Sequence, residues 1–466
     1  MEDVANYSVE SFGSLEPETP MEYLPSTSWW PSTKPIRRLL YALTLPSEAS
    51  YQLPEQVPEI FRESWPYFVT LIILEHIVLR LQGKPRHRLN DTITSLSHGL
   101  ILETGRLLFR GAESSIYMLV YDRWRVVDLP WDSPWTWYIA LLAVDFCYYW
   151  VHRANHEVHF LWAQHQVHHS SEEYNLAVGL RQSILHGWCG SLFYLPMALF
   201  VPPAHYLTHL HFSLLYQFWM HTRAINTLGP LEWVFNTPRH HRVHHGCNLY
   251  CLDKNYGGFL IIWDRIFGTF ASEKEGEQII YGLVLNNPSF NPLWLQVFYN
   301  QHVIEKWRSM QGWQNKLAAI WKGPSWLPGK PRLGADEDKI DVKEREKYDV
   351  KLPTWCNLYL MLHFCIVIIG FQELAVRHMS MSPLAVIWFS AYILISLTSI
   401  GMLFDNRPNA CAFEFLRCLL FVSYVQHYGS PVVGNFMAFL QVLFALSGTF
   451  WALQSLKILQ IKVKTD

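Results

Sequence analysis

The chain has 466 residues, of which 50% are hydrophobic and 16% are charged, and its formal net charge is −2. Typical soluble domains contain roughly 25% charged residues, so this composition argues against a set of soluble domains and favours a polytopic membrane protein. A net charge near zero gives no sign of a nucleic-acid partner. The 21 Trp and 23 Tyr agree with a membrane protein, because their amphipathic rings favour the membrane–water interface.

The N-terminal part of the chain predicts one membrane anchor. Residues 1–33 are polar and lack the apolar segment of a cleavable signal peptide, so we expect the first membrane helix to be an uncleaved anchor. Residues 64–82 are mostly apolar and long enough to cross the hydrocarbon core. The basic run at 84–88 follows, and the positive-inside tendency places this end in the cytosol. Residues 91–121 carry apolar faces broken by charges, which favours an interfacial or partly buried helix. Residues 135–150 are a stronger membrane segment, and the last of them run directly into His152.

Eight histidines form three short clusters with the spacings H-x3-H, H-x2-HH and H-x2-HH. They are His152, His156, His165, His168, His169, His241, His244 and His245. If residues 145–160 are helical, His152 and His156 lie one turn apart and can share an ion. The two rings of each adjacent pair point apart, so eight neutral imidazoles suit two ions better than one. Nitrogen ligands favour iron, zinc or copper over calcium or magnesium, and a structural zinc cluster stays an alternative.

Two apolar stretches, residues 183–201 and 204–220, lie between the second and third histidine clusters. Pro202 and Pro203 separate them and cannot continue a helix. The pattern predicts a hairpin of two helices that crosses the membrane and returns to the side from which it started. An even number of crossings brings all three clusters to one side of the membrane, as a shared metal site requires.

The remaining sequence predicts a polar segment followed by more membrane helices. Residues 271–353 are polar and contain Gly-Pro turns and a charged run, which predicts a cytosolic cap and linker. Up to four further membrane helices are predicted at 354–375, 382–404, 413–426 and 431–456. The expected units are an N-terminal polar and interfacial segment (1–63), a catalytic core (64–270), the cap and linker (271–353), and C-terminal membrane helices with a basic tail (354–466). We therefore expect an all-α, polytopic membrane bundle with a cytosolic-side, histidine-rich di-metal site.

Two features indicate the compartment. The eight Cys are scattered and form no disulfide framework, and a histidine metal site suits a reducing cytosolic face. The last five residues, KVKTD, resemble the K-x-K-x-x retrieval signals of endoplasmic-reticulum proteins. We expect a multi-pass protein of the endoplasmic-reticulum membrane with its active site facing the cytosol.

The three histidine motifs within a membrane helical unit resemble the fatty acid hydroxylase superfamily of non-haem di-iron enzymes. Within it, the chain resembles the pterin-dependent branch that acts on ether lipids. The segments that carry this resemblance are VDFCYYWVHRANHEVHF (144–160), HQVHHSSEEYNLAVGLRQS (165–183), LYQFWMHT (215–222) and residues 236–270. The resemblance continues into 322–334 and the C-terminal membrane segments and covers most of residues 40–456. It implies an oxidoreductase that uses O2 and takes electrons from tetrahydrobiopterin.

The resemblance also implies residue roles. The eight clustered histidines would bind two iron ions and, with Glu157, form the catalytic set. His221 matches a position where related hydroxylases place an extra ligand, and Gln217, one turn earlier, would line the site or support a ligand. Glu157 matches a glutamate linked to tetrahydrobiopterin use. Its carboxylate could hydrogen-bond the pterin or support a ligand imidazole, and both interpretations stay open.

Further acidic and histidine residues lie near these motifs. Three aspartates could orient ligand imidazoles through their second ring nitrogen: Asp145, Asp253 and Asp264. Five histidines are expected to lie outside the metal site: His159, His205, His209, His211 and His240.

The implied reaction is hydroxylation of the ether-linked alkyl carbon of a 1-O-alkylglycerol, which leads to a fatty aldehyde and glycerol. The expected partners are the ether lipid, O2 and membrane lipids. A cytochrome b5-dependent sterol or sphingolipid hydroxylase or desaturase is the alternative within the superfamily, although no fused cytochrome domain is present and Glu157 favours the pterin. A non-enzymatic membrane zinc or lipid-binding protein is the alternative from another class. The alkyl-chain preference, the oligomeric state and the number of spans stay open.

Overall fold

The computed structural model of the chain describes residues 34–41, 43–109, 112–428 and 434–458. These residues form helices, turns and loops without a named strand, although two isolated β-bridges join Phe235 to Leu260 and Gly246 to Tyr281. The predicted all-α class is confirmed. The predictions for residues 1–33 and for the KVKTD tail lie outside the described residues.

Within the described residues the chain forms seventeen α-helices. The first nine are α1 (Lys34–Leu39), α2 (Pro46–Ala49), α3 (Ile60–Leu81), α4 (Leu89–Phe109), α5 (Ser115–Trp124), α6 (Pro134–Glu157), α7 (His159–His169), α8 (His186–Ser191) and α9 (Pro203–Met220). The other eight are α10 (Pro238–His245), α11 (Ile262–Phe267), α12 (Pro292–Ser309), α13 (Trp313–Trp321), α14 (Thr354–Arg377), α15 (Pro383–Phe404), α16 (Ala410–Tyr428) and α17 (Asn435–Ser455).

Four helices in the described ranges are long and apolar enough to cross a membrane, and they indicate a membrane protein. They are Glu63–Leu81 within α3, and α14, α15 and α17. The predicted spans at 135–150 and 413–426 lie in α6 and α16, which are not among these four. Both helices contain buried polar side chains, such as Asp145 in α6 and Glu414 in α16, which lower their hydropathy.

The predicted hairpin is only half correct. Residues 183–201 do not form a membrane-length helix, because they divide into the six-residue α8 and the 3₁₀ segment Leu192–Leu199, which contains Pro196. Proline removes a backbone donor and clashes with the preceding turn, so it breaks an α-helix. The second arm is α9, which begins at Pro203 and ends with His221 as its C-cap residue.

Two hydrophobic clusters position the histidine-bearing helices. In one, Trp137 of α6 and Phe212 of α9 are almost fully buried together with Phe259 of the loop before α11. In the other, Ile101 of α4 packs with buried apolar residues of α14 and α15 such as Leu360 and Leu397. For α14 and α15, which would otherwise face apolar lipid tails, such contacts stabilise the fold through close packing and not through removal from water. The first cluster thus fixes α6 against α9, and the second attaches the C-terminal helices to α4.

Candidate metal centre

Nine buried histidines converge from three helices and the C-cap of a fourth. Helix α6 provides two, α7 three, α10 three, and His221 follows α9. Their ring nitrogens form two groups, and within each group one nitrogen per residue lies within 4.8 Å of all the others. The first group contains His152, His156, His165, His169 and His244, and the second contains His168, His221, His241 and His245.

The helix geometry explains this division. The predicted helix over 145–160 is shorter than expected, because α6 ends at Glu157 and Val158 is extended before α7 begins. This break turns α7 back so that the Nε2 atoms of His152 and His165 lie 3.1 Å apart. Each adjacent histidine pair contributes one ring to each group, which is the arrangement that the H-x2-HH spacing predicts for two ions. The assignment of these residues as ligands stays a prediction.

Backbone carbonyl oxygens orient four of the nine imidazoles. The Nδ1 atom of His152 lies 2.8 Å from the Tyr256 oxygen, and that of His244 lies 2.8 Å from the Lys254 oxygen. His168 and His221 make equivalent contacts with the backbone oxygens of Arg181 and Gln217. Because a carbonyl oxygen only accepts, each Nδ1 must carry the proton. The Nε2 of the neutral ring then has a free lone pair for a metal ion.

His168 and His221 show most clearly that the geometry of the centre fits a metal ion. Their Nδ1 atoms donate to the carbonyls of Arg181 (3.1 Å) and Gln217 (2.7 Å). Their Nε2 atoms nevertheless lie only 3.2 Å apart. When both rings are neutral and carry their proton on Nδ1, no proton lies between the two Nε2 lone pairs, and these lone pairs repel each other. A metal ion bound by both Nε2 atoms would remove this repulsion. Two nitrogens at about 2.0–2.1 Å from one ion lie roughly 3 Å apart, which matches this distance.

Burial keeps these imidazoles neutral and able to bind metal. Desolvation lowers the pKa of His244 to about 3. Desolvation also holds the pKa of His168 and of His245 well below the ordinary histidine value, with a further contribution from neighbouring rings. A metal-binding imidazole must be deprotonated, so burial prepares the site at neutral pH. The two groups contain only nitrogen donors, and this donor set fits iron as well as zinc.

Asp145 and Asp264 do not orient ligand imidazoles directly, so that prediction is wrong for both. Asp145 accepts hydrogen bonds from the Phe259 N–H (2.7 Å) and the Trp263 indole (2.9 Å). Asp264 accepts one from the Tyr256 N–H (2.8 Å). Both carboxylates therefore hold the loop whose Tyr256 carbonyl orients an imidazole of the first group. They support the centre indirectly, through this loop.

Asp253 is the one of the three predicted aspartates that faces an imidazole of the site. Its Oδ1 lies 3.9 Å from the Nδ1 of His156, which is too long for a direct hydrogen bond. Gln217 supports His221 through its carbonyl, while its side chain accepts a hydrogen bond from Tyr148 (2.6 Å). Neither group contains any of the histidines expected outside the site, which are His159, His205, His209, His211 and His240.

Two neighbouring cavities lie near the centre, and histidines of the centre line one of them. One of about 620 Å³ is lined by His156, His169, His244 and His245 together with apolar residues including Trp162. The other, of about 1040 Å³, is predominantly polar and has Glu157 and Arg153 in its wall. Leu252, Asp253, Leu333 and Lys339 line both cavities. The centre is therefore reached from a partly apolar cavity that shares a wall with a polar one.

Glu157 is buried and held by two arginines. Its Oε1 accepts a hydrogen bond from Nε of Arg153 at 2.8 Å, and its Oε2 lies 3.5 Å from Arg332. The carboxylate thus pairs with Arg153 of the polar cavity and with Arg332, whereas the ring of its neighbour His156 belongs to the first histidine group. The sequence placed Glu157 beside the centre but gave no sign of Arg332, which lies far along the chain.

The segment that contains all nine histidines matches a known enzyme family. The fatty acid hydroxylase family model covers residues 137–269, and the alkylglycerol monooxygenase C-terminal domain model covers residues 356–445. A buried, nitrogen-only centre in a helical membrane chain agrees with the first match. The chain is a membrane-bound lipid monooxygenase.

Whole-chain comparisons give the particular family. The chain is 44% identical over 424 residues to the alkylglycerol monooxygenase of Homo sapiens, covering 90% of this chain and 95% of that one. It is 43% identical to the Danio rerio enzyme (92% and 96% covered) and 36% identical to that of Caenorhabditis elegans (82% and 80% covered). No solved structure matches the chain. The chain belongs to the alkylglycerol monooxygenase family, and the predicted resemblance to the ether-lipid branch is confirmed.

Proposed function

We propose that the chain is a tetrahydrobiopterin-dependent di-iron monooxygenase that hydroxylates the ether-linked alkyl carbon of 1-O-alkylglycerols. The observation that supports this most is the pair of adjoining histidine groups, one of five and one of four residues, whose ring nitrogens converge. Two groups suit two ions, and a nitrogen-only donor set suits iron. The substrate follows from the names of the relatives, which are alkylglycerol monooxygenases.

The residues of the chain would bind, orient and shield the reactants. The nine histidines would hold two iron ions, which with the pterin supply two electrons for the reduction of O2. One oxygen atom enters the alkyl carbon and the other leaves as water, so the product is a hemiacetal that collapses to fatty aldehyde and glycerol. The 620 Å³ cavity would accept the alkyl chain, because His156 and Trp162 bring its wall to the metal groups.

The polar cavity is our proposed pterin site. Glu157 in its wall presents a carboxylate, a strong acceptor for the N–H donors along the amidine-like edge of a pterin. Arg153 and Arg332 hold that carboxylate in place. Because Asp253 lines both cavities, a pterin in the polar cavity would lie beside the substrate cavity and close to His156.

Changing Glu157 to Gln should raise the KM and the Kd for tetrahydrobiopterin by about 10- to 100-fold, since a hydrogen bond to a charged group contributes about 1.5–3 kcal/mol. Iron content should not change, because Glu157 belongs to neither histidine group. Pterin binding by equilibrium dialysis and steady-state kinetics would measure the effect. Glu373→Gln is the matched control, because Glu373 and Arg377 form an exposed i,i+4 pair on α14. Unchanged pterin binding in Glu157→Gln would contradict the proposed site.

The electron donor separates this function from the cytochrome b5-dependent alternative. Purified, iron-loaded chain in nanodiscs would receive 1-O-alkylglycerol with either tetrahydrobiopterin or NADH, cytochrome b5 and its reductase. We expect fatty aldehyde with the pterin alone. Turnover only with the cytochrome system would favour a sterol or sphingolipid hydroxylase or desaturase. Zinc as the sole metal, with no O2 consumption, would favour a non-enzymatic zinc or lipid-binding protein.

We also propose that the chain lies in the endoplasmic-reticulum membrane with the centre facing the cytosol. Arg88, in the basic run after α3, donates to Glu173 (2.9 Å) just beyond the second histidine cluster. The basic end of the first span and the histidines therefore share one side, which the positive-inside tendency assigns to the cytosol. We keep the four units at 1–63, 64–270, 271–353 and 354–466 as a proposed division of the chain.

A further inference from the structure

The segment between the catalytic core and the C-terminal spans contains a helical pair with an exposed apolar face. Helix α13 packs on α7 through the buried Ala319, whose carbonyl lies 2.8 Å from the Nδ1 of His159. On its opposite side Trp313, Leu317 and Trp321 are spaced four residues apart and are 69%, 55% and 67% exposed. Residues at this spacing form one stripe on a helix. Large apolar side chains are therefore presented together to the surroundings.

Helix α12 continues this surface and also forms part of the cavity wall. Tyr299 and His302 on one side of the helix line the 620 Å³ cavity. Val297 and Ile304, on the other side, are 54% and 47% exposed. At 1.5 Å per residue, the 18 residues of α12 span about 27 Å. One helix thus separates the cavity that reaches the metal groups from an apolar outer surface.

The start of α12 lies at the end of a membrane-spanning helix. A Cβ atom at Gly401 of α15 would lie 2.5 Å from the Phe290 oxygen, so the chain before α12 contacts the last turns of α15 directly. Asp405, the C-cap residue of α15, accepts hydrogen bonds from the Phe290 N–H (2.7 Å) and the Ser289 hydroxyl (2.6 Å). Helix α12 therefore begins where the α15 span ends, at the level of a bilayer surface.

The charge of the pair is positive. Residues 292–322 contain one acidic residue, Glu305, and four basic residues, which are Lys306, Arg308, Lys316 and Lys322. Lys316 lies 4.7 Å above the ring of Trp307 and joins the two helices. Exposed Trp and Leu beside Lys and Arg suit the boundary between lipid headgroups and acyl chains, and the positive charge favours anionic lipids.

We propose that α12 and α13 lie in the headgroup–acyl boundary of an anionic bilayer and form the rim through which lipid enters the 620 Å³ cavity. Membrane contact by this pair follows from the surface alone. Its role as an entry rim rests on the proposed function, since it assumes that the substrate is a lipid. The predicted cytosolic cap, residues 271–353, then includes a membrane-embedded part.

Photo-crosslinking tests the membrane contact without any requirement for catalysis. The full chain would carry p-benzoylphenylalanine at Trp313 or Trp321 and be placed in nanodiscs of phosphatidylserine and phosphatidylcholine. Glu344, an exposed position in the charged run after the pair, is the control. We expect lipid adducts at 313 and 321 and none above background at 344. Absence of lipid adducts at 313 and 321, or chain-to-chain adducts in their place, would overturn the proposal, and the latter would assign the surface to a second copy.

A triple variant, Trp313→Gln with Leu317→Gln and Trp321→Gln, tests the entry rim. We expect a raised KM for bilayer-embedded alkylglycerol, with kcat and iron content unchanged, because these side chains point away from the cavity. An unchanged KM together with lipid adducts at 313 would overturn the entry role alone. If the unaltered chain had no activity on alkylglycerol, this would instead contradict the proposed function. Failure of the entry role and failure of the proposed function are therefore distinguishable.

Discussion

Replacement of His221 by alanine is expected to reduce bound iron from about two ions per chain to about one and to lower turnover by at least about 100-fold. His221 Nε2 lies 3.0–3.2 Å from the Nε2 atoms of His168, His241 and His245, so its loss removes the common neighbour of the second group. Changes to mere supporting partners of metal ligands already reduce affinity or activity 10- to 100-fold. The five histidines of the first group remain, so one ion should stay bound.

Elemental analysis and turnover of the purified chain would measure the effect of His221→Ala. His240→Ala is the matched control, because His240 is a buried histidine that precedes the third cluster on the same helix and belongs to neither group. We expect its iron content to match the unaltered chain. Two ions per chain in His221→Ala, with normal turnover, would show that His221 is not a metal ligand.

The second large effect is expected on stability, at a buried ion pair in the C-terminal helices. Glu414 and Arg417 of α16 are almost fully buried, and the carboxylate accepts a hydrogen bond from Ser399 of α15 (2.6 Å). The Arg417 guanidinium also donates to His363 of α14 (2.9 Å). Glu414→Ala should lower the free energy of unfolding by about 3–5 kcal/mol, because it leaves a buried, uncompensated cation.

Thermal unfolding in detergent would measure this loss, with iron content as a check on the distant centre. The double variant Glu414→Leu with Arg417→Met should recover most of the stability, since replacing both partners of a buried pair by apolar residues is often neutral. If Glu414→Ala unfolds at the same temperature as the unaltered chain, the pair does not hold α14, α15 and α16 together.

The division of the histidines into two groups was predictable because local helix geometry determines it. The spacing H-x2-HH places one ring of each adjacent pair on each side of a helix, and the structure distributes His168 and His169 accordingly. The groups that accept hydrogen bonds from the imidazole Nδ1 atoms were not predictable. They are backbone carbonyls, such as those of Arg181 and Lys254, and every residue type has a backbone carbonyl. Asp145 was misassigned because seven residues correspond to about 10 Å along a helix, which places it beyond reach of His152.

Composition alone was less informative about the larger architecture. Residues 183–201 are apolar enough for a span, yet Pro196 and packing against α5 and α6 give a bent, partly buried segment. Residues 271–353 are polar on average, and this average concealed the exposed apolar side chains of α12 and α13. In both cases the arrangement of apolar residues in space, which depends on distant packing partners, decided the outcome.

Fatty aldehyde release is the most direct test of the central claim. Microsomes that express the chain, and microsomes that express His165→Ala at the same level, would receive 1-O-alkylglycerol with and without tetrahydrobiopterin. We predict aldehyde only from the intact chain and only with the pterin. Loss of activity in His165→Ala is expected because the His165 ring contacts His152 and His169 in the first histidine group. Iron-loaded, well-expressed chain that releases no aldehyde with the pterin would contradict the account.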